Sequence, residues 1–167
     1  MVDPVAGPIA GADLRAPALF YQLTRSPREQ VMAMLLTRAL AQGWRVELRA
    51  DPSGGPLAQI DERLWRGTAV DFLPHGIEGG DHDALQPVLI TNTPPDPSAG
   101  KFDAVMAVSG AQVTAADCLG RQRLWILFDG NDLAALNHAR TQWKTLTGEG
   151  VEGQYWSEAE GSWKRMG

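Results

Sequence analysis

Apolar residues recur in short blocks separated by clusters of Gly, Pro and Asp, and the blocks differ in period. Leu57, Ile60 and Leu64 are spaced i, i+3, i+7, which predicts a helix. Pro56 suits its first position, where a missing N–H costs nothing. Trp65 follows Leu64 directly and leaves that stripe. Phe72 comes next, in the segment Phe72-Leu73-Pro74-His75-Gly76-Ile77, which has neither helical nor strand period. Two large apolar side chains therefore sit at the rim of a domain. Either they tuck under the connection as a satellite cluster, or they form a docking surface for another protein.

The remaining blocks follow the same logic. Leu19 to Leu23 predicts a first strand. Ser26-Pro27-Arg28-Glu29 carries a capping-box pattern, and Val31, Leu35 and Ala39 form the stripe of the helix it would open, closed by Gly43. Trp44 to Arg49 alternates apolar and charged residues, the pattern of a strand with one wet face. Val88–Thr91, Ala104–Val108 and Leu124–Phe128 are apolar runs, as in strands covered on both faces. A short helix is expected over Thr114 to Cys118. Asp129-Gly130-Asn131 offers turn and N-cap chemistry for a helix carrying Leu133, Leu136, Arg140, Trp143 and Lys144 and ending at Gly148 and Gly150. Val151 to Trp156 is a candidate last strand, and Trp163-Lys164-Arg165 a basic tail. Alternating strands and helices predict an α/β fold of three layers around a mostly parallel sheet, Rossmann-like, with right-handed crossovers. Residues 1–18, rich in Gly, Pro and Ala, are expected to be a flexible N-terminal extension, and residues 19–167 a single domain.

Composition narrows the class. A chain of 167 residues, 44% hydrophobic, suits one domain with its own core. The lone Cys118 excludes an internal disulfide framework and supplies no zinc site, so a reducing, cytoplasmic setting is expected. No apolar run approaches the roughly 18 residues of a membrane span, and no secretory pattern opens the chain. The net charge of −5 argues against a general binder of nucleic-acid backbone but permits a local basic patch.

Catalytic chemistry is poorly represented. The first strand runs into Thr24-Arg25-Ser26-Pro27 with no glycine-rich nucleotide cradle, and none occurs elsewhere. His82 lies between Asp81 and Asp83, but such a loop without further ligands reads as a solvated turn. No metal and no cofactor are expected. His75, after Pro74, is expected to make a structural hydrogen bond. Asp117 beside Cys118 disfavours a thiolate. Ser109-Gly110 follows a strand as a nucleophile turn would, without the G-x-S-x-G frame. A small-molecule-binding or enzymatic domain using the strand-end crevice stands as the alternative, on fold analogy alone.

The long last helix carries the clearest charged pattern. Arg140 and Lys144 are four apart and share a face, with Trp143 on the neighbouring stripe. Arg121 and Arg123 precede the strand that leads into it. Such a set is a receptor for a peptide with acidic residues and a terminal aromatic, or else Trp143 is core and the cations are a solvated face. Direct single-strand DNA binding through Arg121, Arg123 and Arg140 fits poorly with an acidic chain lacking an aromatic-rich sheet face.

With these motifs in place, the chain resembles the chi subunit of bacterial DNA polymerase III. The likeness rests on Phe20-Tyr21-Gln22-Leu23-Thr24, Gly43-Trp44-Arg45-Val46, Ile60-Asp61-Glu62-Arg63-Leu64-Trp65, Asp71-Phe72-Leu73-Pro74-His75, Ala139-Arg140-Thr141-Gln142-Trp143-Lys144 and Tyr155-Trp156. It implies a nucleotide-binding-like fold that binds no nucleotide, and a non-catalytic accessory subunit of the clamp-loader assembly. It implies binding of the acidic C-terminal tail of the single-stranded DNA-binding protein (SSB), so that DNA is met only through SSB. The tail site would be Arg140, Trp143 and Lys144, with Arg121 and Arg123 in support. Trp143 stands where the family commonly has Tyr. A second surface, at Trp65, Phe72, Pro74 and His75, would dock the psi subunit or another clamp-loader subunit.

Overall fold

A computed structural model describes residues 15–67, 73–92 and 99–167. The chain alternates β1 (Ala18–Leu23), α1 (Arg28–Ala41), β2 (Val46–Ala50), α2 (Leu57–Gly67), β3 (Gly76–Ile77), β4 (Val88–Thr91), β5 (Ala104–Val108), β6 (Arg123–Asp129), α3 (Leu133–Gly148), β7 (Gly153–Ser157) and β8 (Lys164–Arg165). The strands form one sheet in the order β3-β4-β2-β5-β6-β1-β7-β8. All neighbours are parallel except β7 and β8.

Side-chain alternation sorts the core into two layers. Leu19, Tyr21, Leu48, Met106, Trp125 and Leu127 face α1 and α2, which contribute Met32, Leu35, Leu36, Ile60 and Leu64. Phe20, Val105, Ala107, Leu124, Ile126 and Phe128 face α3, which contributes Ala139 and Leu146. The expected three-layer, mostly parallel α/β fold is what forms.

Several local readings are corrected by tertiary contacts. Residues 16–18, placed by composition in the extension, belong to the domain. Ala16 and Ala18 are buried, and their N–H groups donate to the carbonyls of Cys118 and Glu152 at 2.8 Å. The capping box at Ser26 does not form. Pro27 takes the N-cap position of α1, and the Ser26 hydroxyl donates instead to Glu158 at 2.6 Å. Asp132, not Asn131, caps α3, accepting from the Ala134 N–H at 3.0 Å. The region of Thr114 to Cys118 is a 3-10 turn closed by a Thr114–Asp117 capping box. The basic tail is partly a strand, β8, on the outer edge of β7.

The largest correction concerns β2. It has no wet face: every residue is buried, including Glu47 and Arg49. Both point to the α3 layer, on the half of the sheet that α3 does not cover. Arg49 grips Glu47 through Nε and Nη2 at 2.8 and 3.0 Å, and Asp117 through Nη1 and Nη2 at 3.0 Å each. Thr91 donates its hydroxyl to Glu47 at 2.8 Å, and the Gln112 carbonyl accepts from Arg49. Burial alone would lower the Arg49 pKa, but the two carboxylates outweigh it and raise it. Burial likewise opposes Asp117, yet Arg49 and the Thr114 N–H hold its carboxyl below the ordinary value.

Removing the guanidinium would strand Glu47. Arg49→Met is expected to cost about 3–5 kcal/mol in urea denaturation, and Glu47→Leu with Arg49→Met clearly less than Arg49→Met alone. Because Asp117 binds protons more weakly folded than unfolded, its contribution is present above the ordinary carboxylate value and is lost as pH falls from there through its lowered folded-state value. Urea midpoints should therefore drop on acidification from about pH 5 to 3, and drop less in Asp117→Asn.

Candidate functional site

The cationic face of α3 holds together as a unit. Arg140 and Lys144 are exposed, and the described residues offer neither an ion-pair partner. Trp143 is partly buried between them and the sheet. Its ring meets Phe20 edge-on at 5.2 Å and Tyr155 at 6.0 Å. Tyr155 packs further on Phe128 and donates its hydroxyl to Gln22 at 2.6 Å. Burial raises the Tyr155 pKa, partly offset by the nearby Arg140 charge, which places the guanidinium beside this aromatic cluster. Trp143 is thus partly core: its ring is held by the aromatic cluster and by Gly153 and Gly167, on the core side of the exposed Arg140.

Gly153 sets how deep the indole lies. A Cβ there would stand 2.8 Å from Cη2 and Cζ3 of Trp143 and 3.1 Å from Cγ2 of Thr147. Sequence reasoning missed Gly153 and Tyr155 as parts of this site, because both lie on β7 and reach Trp143 only through the fold.

Arg121 and Arg123 do not join the three. Arg123 alternates with Trp125 and Leu127, so it faces the α1–α2 layer, on the other side of the sheet from α3. It is buried, with its guanidinium 5.5 Å from the Trp44 ring centre. Arg121 is tied to the 3-10 turn through the Asp117 carbonyl at 3.1 Å.

The residues expected to dock a second partner lie on the opposite layer. Trp65 is 47% exposed at the end of α2, whereas Leu64 beside it is buried. His75 lies tilted against the Trp65 ring at 4.3 Å between centroids. The imidazole is fixed by the Leu73 carbonyl at 2.6 Å on Nδ1 and by Asp61 on Nε2. His75 therefore does the structural bonding expected of it and holds Trp65 outward. Pro74 is partly buried beside it, and Phe72 lies outside the described residues.

The strand-end crevice occupies the switch point between β1 and β6, whose following helices leave toward opposite layers. At the end of β1, where a nucleotide phosphate would seat, the chain supplies its own anion. Glu158 accepts from the N–H groups of Thr24, Arg25 and Ser26 at 3.0, 2.8 and 2.7 Å. Burial opposes the charge, but the Ser26 hydroxyl and these N–H groups hold the carboxyl below its ordinary value. Elsewhere, burial and then Asp117 push the Cys118 thiol up to about 11, which leaves it unreactive. His82 is exposed, and Asp83 turns back to accept from the Gly79 and Gly80 N–H groups. Among the described residues no three His, Cys, Asp or Glu side chains gather as metal ligands, and no helix is long and apolar enough to cross a membrane.

Gly153→Ala should cost about 1–3 kcal/mol in urea denaturation, because the added methyl meets an aromatic ring fixed on its far side. A cost near zero would mean that Trp143 is free to move.

Among curated proteins none matches the chain. A family model described as DNA polymerase III chi subunit, HolC, matches residues 16–154. That span starts with buried Ala16 and takes in α2 with Trp65, the His75 segment and the whole of α3. The chain belongs to the chi subunit family, accessory subunits of DNA polymerase III.

Proposed function

We propose that this chi-family subunit binds the acidic C-terminal tail of SSB at the α3–β7 face and links it to the clamp loader through the opposite layer. It does so without catalysis, in the cytoplasm, and meets DNA only through SSB. The observation that carries the reading is the pair Arg140 and Lys144, two exposed cations without an ion-pair partner among the described residues, on the same helix as a braced Trp143. A guanidinium grips a carboxylate bidentately, and an indole held edge-on offers an apolar wall to an aromatic side chain. Tyr155 and Gly153 complete the wall. Arg121 and Arg123 are left out because their side chains are engaged elsewhere.

The docking surface is Trp65, supported by His75 and Pro74, with Phe72 following from the family resemblance. Its occupant in this reading is psi or another clamp-loader subunit. An exposed indole held against a fixed imidazole has the character of an interface anchor.

Titrating a fluorescent acidic peptide with a terminal aromatic should give saturable binding that weakens at least about tenfold in Arg140→Ala and falls with added salt. Equal affinity in both proteins, or none in either, would sink the tail site. Trp65→Ala should lose co-purification with clamp-loader subunits while peptide affinity stays within about twofold. Loss of both would mean that Trp65 serves folding.

A further inference from the structure

The geometry points to a second binding site, for a small phosphate-type oxyanion, in the strand-end crevice around Arg28, Ser109 and His138. This site is separate from both surfaces proposed above. Four segments converge there: the start of α1, the turn at 52–54, the end of β5 and the middle of α3.

Two local costs coincide at this spot. Ser109 has a φ of 55°, in the left-handed region that a side chain disfavours. It is clamped there. A Cβ on Gly54 would stand 2.6 Å from the Ser109 Cβ, and Arg28 donates from Nη1 to the Ser109 hydroxyl at 2.8 Å. His138 lies beside the next residue, since a Cβ on Gly110 would meet its Cδ2 at 3.9 Å. The Nε2 of His138 is buried with no hydrogen-bond partner among the described residues, and so is the Thr24 hydroxyl oxygen on the same crevice. Unpartnered buried polar atoms and non-glycine strain persist where the surroundings enforce them, and they cluster where ligands bind.

The crevice is lined by Glu29, Asp51, Asp129 and Asp132 as well as by Arg25, Arg28 and Arg63, and each of these carboxylates is turned to a donor of its own. Asp51 accepts from the Ser53 N–H and hydroxyl, Asp129 from the Asn131 N–H, and Asp132 from the Ala134 N–H. Glu29 is paired with Arg28 and Arg63. The N-terminus of α1 has no side-chain cap and adds partial positive charge at the same place. Glu158 already fills the adjacent turn after β1. An incoming anion is thereby directed to Arg28, Ser109 and His138 rather than to the position a nucleotide phosphate would take.

The test is amide NMR of the full chain, with sodium phosphate and ribose 5-phosphate titrated against sodium chloride at equal ionic strength. Saturable shifts should appear at Ser109, Gly110 and His138, and the affinity should weaken at least about tenfold in Arg28→Met and in His138→Phe. Acidic-peptide binding at α3 should be unchanged in both variants. Binding of both probes would mean recognition of the phosphate group itself, and binding of ribose 5-phosphate alone that the group must be carried on an organic body. No saturable shift with either probe would overturn the proposal. So would shifts that persist equally in both variants, or shifts at residues remote from the crevice.

Discussion

Arg49 is the interaction on which this structure depends most. A parallel sheet must be covered on both faces, yet among the described residues α3 is the one α-helix on its face, where it shields the half built from β5, β6, β1 and β7. The other half is closed by loops and the turn at 115–118, and Arg49 ties that turn down. One guanidinium, 4% exposed, is shared between a carboxylate of its own strand and one 68 residues later. The geometry is multidentate on both sides, which lets such a charge be buried without being stranded. Cys118 and Ala16, next to that turn, are buried as a consequence, and the chain before β1 is drawn into the domain.

The two surfaces proposed for interaction are set apart by topology. Trp65 belongs to the layer of α1 and α2, and Arg140, Trp143 and Lys144 to the layer of α3. A rigid sheet lies between them. A partner on either side would have no steric reason to exclude the other, as the proposed function requires. Each surface is also braced from within: Trp65 by a histidine bonded to two carbonyl or carboxylate groups, and Trp143 by Phe20, Tyr155 and the missing side chain of Gly153. Fixing an aromatic before its partner arrives reduces the ordering cost of binding.

The fold shares the layered parallel sheet and strand-end crevice of nucleotide binders, though not their strand order, and the turn after its first strand is satisfied internally. Three N–H groups that could hold a phosphate hold Glu158 instead. That carboxylate comes from the turn after β7, close to the end of the family match at residue 154. The architecture is therefore kept while its usual ligand position is filled by the chain, and the remaining crevice has a different chemistry, centred on Arg28, Ser109 and His138.

Much of this was written in the local pattern. Apolar runs and Gly–Pro punctuation placed β1, β4, β5, β6 and the three helices close to where they lie, because burial on a helix or strand face imposes a period that residue order displays directly. The i, i+4 spacing likewise set Arg140 and Lys144 on one face. Tertiary structure alone decided what each face meets. The alternation of Trp44 to Arg49 marked charged positions but not their neighbours, so a strand that looked half wet is wholly buried. Arg123 looked like part of the basic patch until its parity along β6 put it on the far layer. Trp143 could be core or surface by spacing, and its partial burial was decided by Phe20 and Gly153, more than a hundred residues apart in the chain and brought together only where β1 pairs with β7. Period is a property of neighbours in sequence, whereas the partner that buries, charges or braces a side chain comes from another element and is fixed only when the sheet assembles.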